Sequence, residues 1–207
     1  FGVPASGQTE VYIRLLRKAV ADGGQALFLV PEITLTRPFF KEFSEMMGLP
    51  VALWHSQIGA KKRRSVWLGL RSGKVRVVVG ARSASLLPFK DLRLVVMDEE
   101  QDESYKQDGK VPYYHTRDVA LRRAETNGCV AVLGSATPSI EAFARERGGG
   151  LEVLRLDERI ARTHTPSISV IDRPPEQHGG CLTEELIEKT KLRIQEGEQV
   201  ILLVLSI

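Results

Sequence analysis

The chain has 207 residues, of which 43% are hydrophobic and 27% are charged, and this is the composition of an ordinary globular protein with a real core. Its 29 basic and 26 acidic residues give a net charge of +3, so charge alone does not argue for a nucleic-acid partner. The two cysteines exclude a disulfide framework, and neither has a partner at metal-ligand spacing, so we expect no zinc site. No apolar run reaches the roughly twenty residues of a membrane span, and the N-terminal residues do not form a signal peptide pattern. We therefore expect a cytoplasmic protein without membrane contact.

Segments of helical periodicity alternate with short apolar runs along the chain. The predicted helices span residues 10–20, 36–47, 61–72, 117–127, 139–147 and 183–195. The predicted strands span residues 26–30, 51–54, 75–79, 92–97, 129–133, 151–156, 167–171 and 199–205. This alternation predicts an α/β fold with a mostly parallel sheet that is covered by helices on both faces.

The second half of the chain contains a candidate boundary. Three glycines at 148–150 open a region of weaker pattern, and residues 162–166 read as a linker. The chain begins at what reads as a strand-to-loop junction and ends on an apolar strand pattern, so we expect it to be a piece of something longer.

The strand predicted at 92–97 leads directly into a cluster of acids. Asp98, Glu99, Glu100 and Asp102 follow a run with five apolar residues in six positions, as expected for a buried parallel strand. The carboxyl end of such a strand is where open α/β sheets bind ligands. In nucleotide hydrolases an aspartate there holds Mg²⁺ and a neighbouring glutamate orients the attacking water. The alternative is a buried strand with a solvated acidic loop.

The first residues of the chain have the spacing of a phosphate-binding loop. Gly2 and Gly7 frame four residues before a helix, and Thr9 stands where a hydroxyl would ligate Mg²⁺. The backbone N–H groups of such a loop cradle phosphate oxygens. The usual lysine is replaced by Gln8, which cannot neutralise developing charge, and Pro4 removes one N–H donor. The alternative is a plain strand-turn-helix loop.

Several further segments have the residue types that contact nucleic acid. Hydroxyl and arginine side chains suited to phosphate contacts follow three of the predicted strands, and a polar loop after the acids carries tyrosines that could stack on bases. The candidates are Thr34, Thr36, Arg82, Ser83, Ser135, Thr137, Tyr105, Lys106, Tyr113 and Tyr114. The structural alternatives are helix caps, a solvated arginine and tyrosines folded back onto the core.

These segments occur together and in this order in one family. The chain resembles the PriA-type primosomal replication-restart helicases, which are superfamily 2 DNA motors. The resemblance covers nearly the whole chain and rests on GVPASGQTEVY at 2–12, LVPEITLT at 29–36, WHS at 54–56, VVVGARSA at 77–84, DEEQDESYKQ at 98–107, YYHTRDVALRRA at 113–124 and LGSATPSIEA at 133–142.

The resemblance implies a RecA-like P-loop NTPase lobe, a three-layer sandwich, over residues 1–163 and the start of a truncated second lobe over 164–207. It implies ATP and Mg²⁺ as ligands, and DNA, primosome proteins and single-strand-binding protein as partners. The residues that it assigns to nucleotide binding are Gly2, Ser6, Gly7, Gln8, Thr9 and Glu10, with Thr9 and Asp98 holding Mg²⁺. The catalytic residues that it implies are Asp98, Glu99 and Gln101. It also implies that the loop from Ser104 to His115 couples DNA binding to ATP hydrolysis.

The chain departs from the family pattern at the nucleotide loop. The family has Gly-Lys-Thr where this chain has Gly7-Gln8-Thr9, Thr-Gly where it has Pro4-Ala5, and histidine where it has Gln101. We therefore expect a DNA helicase of replication restart with feeble ATP turnover. Two other functions stay open: an ATP-independent DNA-binding or primosome-assembly module, and an inactive fragment.

Overall fold

A five-stranded parallel sheet forms the centre of the computed structural model of the chain, which describes residues 1–160, 167–170 and 182–203. The strands are β1 (Gln25–Leu29), β2 (Val51–Trp54), β3 (Val77–Gly80), β4 (Leu92–Met97) and β7 (Val130–Leu133), in the spatial order β2-β3-β1-β4-β7. Two short strands after β4 in the chain, β5 (Lys106–Gln107) and β6 (Tyr114–His115), form a separate antiparallel pair.

Helices connect the strands and cover the sheet. They are α1 (Gln8–Ala21), α2 (Arg37–Met47), α3 (Ala60–Ser72), α4 (Thr116–Asn127), α5 (Ile140–Arg147) and α6 (Glu184–Gln195). Thr36 is the N-cap of α2 and Ser139 is the N-cap of α5. The side chain of each accepts a hydrogen bond from a backbone N–H of the first turn. Parallel strands joined by helical crossovers give the predicted α/β fold.

The alternation of side chains along each strand builds two separate cores. Ala26 and Phe28 of β1 pack with α1 and α2 on one face of the sheet. Leu27 and Leu29 of the same strand pack with α3 and α4 on the other face. All five residues of β1 are buried, because the strand is covered on both faces and flanked by β3 and β4. The result is the predicted three-layer sandwich.

The carboxyl ends of the strands meet at one edge of the sheet. In the parallel register Leu29 is opposite Gly80 and Met97, and Met97 is opposite Leu133. The segments that follow these residues therefore lie side by side, and they include the acids after Met97 and Gly134 after Leu133. This edge collects the residues that the sequence marks as functional.

Two compact units make up the chain, residues 1–163 and 164–207. The described part of the second unit contains α6, which begins after Thr183 and is followed by Gly197 at a φ of 79°. The assignment of these units to a first and a second helicase lobe stays a prediction.

Three of the predicted strands are wrong in the described residues. Residues 151–155 form no strand, and Leu156 makes a single parallel bridge with Gly2. Residues 167–170 and 199–203 have no regular structure, because an isolated apolar run makes no strand without a partner to accept its backbone hydrogen bonds. Residues 171, 204 and 205 and the predicted linker 162–166 lie outside the described residues. None of the described helices is long and apolar enough to cross a membrane.

Candidate nucleotide site and tyrosine loop

The loop before α1 lies against the carboxyl end of β7. The Gly2 N–H donates to the carbonyl of Ser135 at 3.1 Å, and Val3 N–H donates to the carbonyl of Leu156 at 3.1 Å. Gly7 has a φ of 85°, a left-handed conformation that favours glycine, and it begins α1 without a side-chain cap. The loop is therefore held at the same sheet edge as the acids.

Residues of this loop fit a phosphate group. The Ser6 hydroxyl is buried and makes no hydrogen bond to any described residue. No side chain caps the first N–H groups of α1. The positive end of the helix dipole is therefore available to an anion. An unpartnered hydroxyl beside an uncapped helix start suits phosphate oxygens.

The side chain of Gln8 is turned into the loop. Its Nε2 donates to the carbonyl of Gly2 at 2.7 Å, and its Oε1 accepts from the Tyr12 hydroxyl at 2.9 Å. A Cβ on Gly2 would come within 2.2 Å of Gln8 Nε2, so only glycine leaves room for this contact. Gln8 thus adds hydrogen bonds within the loop but no positive charge for a triphosphate.

Asp98 lies directly beside the first turns of α1. Its Oδ1 is 3.2 Å from the Tyr12 hydroxyl, and its N–H donates to the carbonyl of Leu29 at 2.9 Å. Burial and then the neighbouring Glu99 carboxylate raise the pKa of Asp98, and the hydrogen bond from Tyr12 opposes that rise. A divalent cation beside Asp98 would favour its ionised form.

A chain of hydrogen bonds joins the acids to the segment after β7. Gln101 Nε2 donates to Glu99 Oε2 at 2.7 Å, and Ser135 Oγ donates to Gln101 Oε1 at 2.6 Å. Thr137 N–H then donates to Ser135 Oγ at 2.9 Å. The structure therefore brings four of the predicted site residues into one network. Their catalytic and coupling roles stay predictions.

Glu100, the third acid of the cluster, is buried and paired with protein groups instead of facing solvent. Glu100 is 1% exposed and its Oε2 accepts from Arg117 Nη1 at 2.9 Å, where Arg117 is 4% exposed. Glu100 also accepts from the N–H of Ser139 at 2.7 Å and from its hydroxyl at 2.9 Å. This buried cluster ties the end of β4 to the starts of α4 and α5.

The polar segment at residues 104–115, called here the tyrosine loop, is fixed at its base. Tyr105 is buried, and its hydroxyl donates to the carbonyl of Asp98 at 2.7 Å. The Thr116 hydroxyl donates to the carbonyl of Tyr105 at 3.0 Å. Arg82 Nη1 donates to the carbonyls of Ser104, at 3.2 Å, and of Lys106. Both ends of the loop are thus held beside Asp98.

The three tyrosines of this loop differ in their exposure. Tyr113 is 69% exposed, Tyr114 is half-buried and Tyr105 is fully buried. Tyr105 adopts the structural alternative, a ring folded back onto the core, and its role in DNA binding or coupling stays a prediction. Lys106 is exposed, and a Cβ on Gly109 would meet no atom within 4 Å.

The remaining predicted contacts to nucleic acid lie along the same edge. Ser83 Oγ accepts from the Trp54 indole N–H at 3.1 Å, and Arg82 supports the tyrosine loop. Thr36 caps α2, which was the structural alternative for that residue. Direct contacts of Arg82 and Ser83 with DNA stay predictions.

Sequence reasoning missed Tyr12, Arg117 and Ser139 as members of the site. Tyr12 lies one turn after Gln8 on α1, and this spacing was the available signal. Nothing in the sequence pairs Arg117 with Glu100, since one lies in a helix and the other in an acidic run that reads as solvated.

Ala5 adopts a left-handed backbone conformation, with a φ of 64°. A side chain in this region costs roughly 1–2 kcal/mol, which the greater chain entropy of glycine offsets in part. We expect Ala5→Gly to raise the free energy of unfolding by about 0.5–1 kcal/mol, measured by urea denaturation. The matched control is Ala144→Gly in α5, which is exposed and helical and should lower stability by up to about 1 kcal/mol. A loss of stability in both variants would contradict the strain at Ala5.

Comparison with known proteins agrees with this geometry. The profile of the DEAD/DEAH box helicase family matches residues 2–145. The replication restart protein PriA of Bacillus subtilis (strain 168) is 40% identical over 204 residues, which are 97% of this chain and 25% of that protein. The replication restart protein PriA of Chlamydia pneumoniae is 35% identical over 206 residues, which are 98% of this chain and 28% of that protein.

Solved structures show the same fold. The structure of RecG bound to a three-way DNA junction superimposes with a TM-score of 0.58 at 19% identity, covering 95% of this chain and 24% of that one. The chain spans between a quarter and a third of the length of the curated relatives named above. Its fold is RecA-like, and the chain belongs to the DEAD/DEAH box helicase family, within which its sequence is of the PriA type.

Proposed function

We propose that this chain is the nucleotide-binding part of a DNA helicase that acts in replication restart and that its own use of ATP is weak. The observation that carries this proposal is the meeting of three segments at one sheet edge. The loop at 2–9 bonds to Ser135, Tyr12 links Gln8 to Asp98, and Ser135 links to Glu99 through Gln101. A nucleotide bound at this edge would contact all three segments.

Magnesium and ATP would be held by residues of this edge. Mg²⁺ usually takes one or two protein oxygens together with substrate phosphates, and Thr9 and Asp98 would supply them. The loop N–H groups and the Ser6 hydroxyl would bind phosphate oxygens. Glu99 is exposed and oriented by Gln101, so it is the candidate to hold the attacking water. The bound ion would stabilise the charge that develops on the transferred phosphate.

DNA would bind along the same edge, beside the tyrosine loop. The exposed ring of Tyr113 offers a stacking surface, and Lys106 offers a charge for phosphate. Residues Lys61, Lys62, Arg63 and Arg64 are exposed at the start of α3, whose first turn has no acid, and none of them forms an ion pair with another described residue. These features support a nucleic-acid partner more directly than the net charge does.

The wider role rests on the relatives alone. Primosome proteins and single-strand-binding protein as partners, the cytoplasm as the place of action, and the division into a first lobe and the start of a second lobe are parts of the same proposal. The relatives that carry them are named replication restart proteins.

An ATP-independent DNA-binding module is the second candidate function. The arrangement of Gln8 with Gly2 and Tyr12 favours it, because the Gln8 amide makes its hydrogen bonds within the protein and needs no ligand. The two candidates differ in one measurable property. In the first, Mg–ATP changes the affinity of the chain for DNA, and in the second it does not.

Replacing Tyr113 with alanine tests the DNA interface. Loss of one stacked base should weaken binding of a labelled single-stranded oligonucleotide by roughly five- to a hundredfold, measured by fluorescence anisotropy. The matched control is Val111→Ala, since Val111 is 79% exposed in the same loop but has no aromatic face. The titrations are repeated with Mg²⁺ and a non-hydrolysable ATP analogue, and an affinity that responds to the analogue supports the helicase over the ATP-independent module. Equal affinity of the unchanged chain and Tyr113→Ala would remove the tyrosine loop from the DNA interface.

A further inference from the structure

The hydroxyl of Tyr12 stands where the loop, the acids and the segment after β7 meet. Tyr12 is 4% exposed, and its ring packs on Phe28 with centroids 5.7 Å apart. Its hydroxyl is 2.9 Å from Gln8 Oε1 and 3.2 Å from Asp98 Oδ1. Because the core fixes the ring, the hydroxyl is held between Gln8 and Asp98.

Gly134 confirms how closely this place is packed. A Cβ on Gly134 would come within 1.7 Å of the Tyr12 hydroxyl and 3.4 Å of Asp98 Oδ1. The backbone of Gly134 is held by bonds to both sides, from its N–H to Met97 and from the Glu100 N–H to its carbonyl. The absence of a side chain at 134 is what lets the hydroxyl reach the carboxylate.

The Tyr12 hydroxyl can donate a single proton, and two hydrogen-bond acceptors, Gln8 Oε1 and Asp98 Oδ1, lie within reach of it. The amide of Gln8 is oriented by its Nε2, which donates to the carbonyl of Gly2, and its oxygen therefore faces Tyr12. At any moment the proton goes either to Gln8 or to Asp98. A lysine at position 8 has no acceptor and would leave the proton to Asp98.

We propose that Tyr12 is a positioning residue that orients the Asp98 carboxylate for a divalent cation, and that Gln8 competes with Asp98 for its proton. The inference rests on the proposed nucleotide site. It explains how a neutral residue in the loop weakens the metal site without touching the metal. The hydroxyl fixes one carboxylate oxygen, so the other stays directed to the cation, as the partners of metal-binding carboxylates do elsewhere.

The test is a double-mutant cycle between Tyr12→Phe and Gln8→Lys in the full chain. Binding of Mn²⁺ is measured by electron paramagnetic resonance, both alone and with ADP. In the unchanged chain, Tyr12→Phe should weaken Mn²⁺ binding by about twofold, since Gln8 already holds the proton for part of the time. In the Gln8→Lys background the same change should weaken it by roughly tenfold. Comparison within each background cancels the charge that the lysine adds.

Two controls separate positioning from loss of structure. Tyr12→Phe keeps the ring on Phe28 and removes only the hydroxyl, so the variant should unfold cooperatively at a temperature only a few degrees below that of the unchanged chain. Ser72→Ala removes an exposed hydroxyl that bonds to the carbonyl of Gly69 in α3, and it should leave Mn²⁺ binding unaltered.

The outcomes distinguish this inference from the proposed function. Equal effects of Tyr12→Phe in both backgrounds, or no effect in either, would overturn the inference while the nucleotide site stands. Mn²⁺ binding that depends on Tyr12 but is not strengthened by ADP would support the inference and count against the nucleotide site. No Mn²⁺ binding to the unchanged chain or to Gln8→Lys, with or without ADP, would overturn both.

Discussion

Gln8→Lys is expected to raise ATP turnover at the proposed nucleotide site. In the unchanged chain the neutral amide of Gln8 is bonded within the loop, and the carboxyl groups of Asp98 and Glu99 follow the neighbouring strand β4. A lysine would supply a charge-assisted contact to the β- and γ-phosphates. By comparison with the removal of a single transition-state donor in other enzymes, we expect a gain on the order of 10²–10³ in the rate of ATP hydrolysis. Phosphate release and the binding of a fluorescent ATP analogue measure the two effects.

The matched control places the same charge elsewhere on the surface. Gln57 is exposed, so Gln57→Lys adds one positive charge outside the nucleotide loop and should change neither rate nor affinity. Robust hydrolysis by the unchanged chain would defeat the prediction, because it would show that the loop works without a lysine.

Arg117→Met is expected to cause the largest loss of stability. The change leaves Glu100, which is 1% exposed, without its cationic partner. Breaking a buried ion pair from one side costs about 3–5 kcal/mol, because the remaining charge has lost both water and partner. For a chain of this size that corresponds to a fall of roughly 10 °C in the unfolding temperature, which calorimetry measures.

Two further variants show whether the cost comes from the stranded charge. In Glu100→Gln/Arg117→Met both charges are gone, so part of the loss should be recovered. Arg122→Met removes an arginine of the same helix whose ion pair with Glu125 is exposed, and its effect should stay within about 0.5 kcal/mol. A similar loss in Arg117→Met and Arg122→Met would show that Glu100 does not need its partner.

The sheet could be predicted from sequence because its signals are local. The strand at 92–97 has the predicted bounds, and the helices differ from their predicted bounds by one or two residues. Apolar runs that end in glycine or in acids can be recognised without knowing which strand they pair with. The same holds for the helices that are followed by Gly48, Gly73 and Gly128. The apolar run at 199–203 has no regular structure and pairs with no described strand.

The residues that meet at the site were predicted only in part. The loop, Asp98, Glu99 and Ser135 were proposed from residue type and position and Gln101 from the family resemblance, and the structure brings them together, while their chemical roles stay predictions. The burial of Glu100 was not predicted, because a run of acids reads as solvated, whereas a tyrosine folded back onto the core was one of the two alternatives for Tyr105. Tyr12 and Asp98 are 86 residues apart in the chain, so only the fold reveals their contact.

The open space around Gly109 makes the tyrosine loop a place for an optical reporter. The Cβ of a cysteine there would meet no atom within 4 Å, and the base of the same segment bonds to Asp98, so a dye can be attached to the loop at this position. Burial raises the pKa of the Cys129 thiol, so that thiol labels slowly at neutral pH, and Cys181 can be changed to serine beforehand. Emission from the dye would then follow events at the acids and at the exposed ring of Tyr113 from a single position.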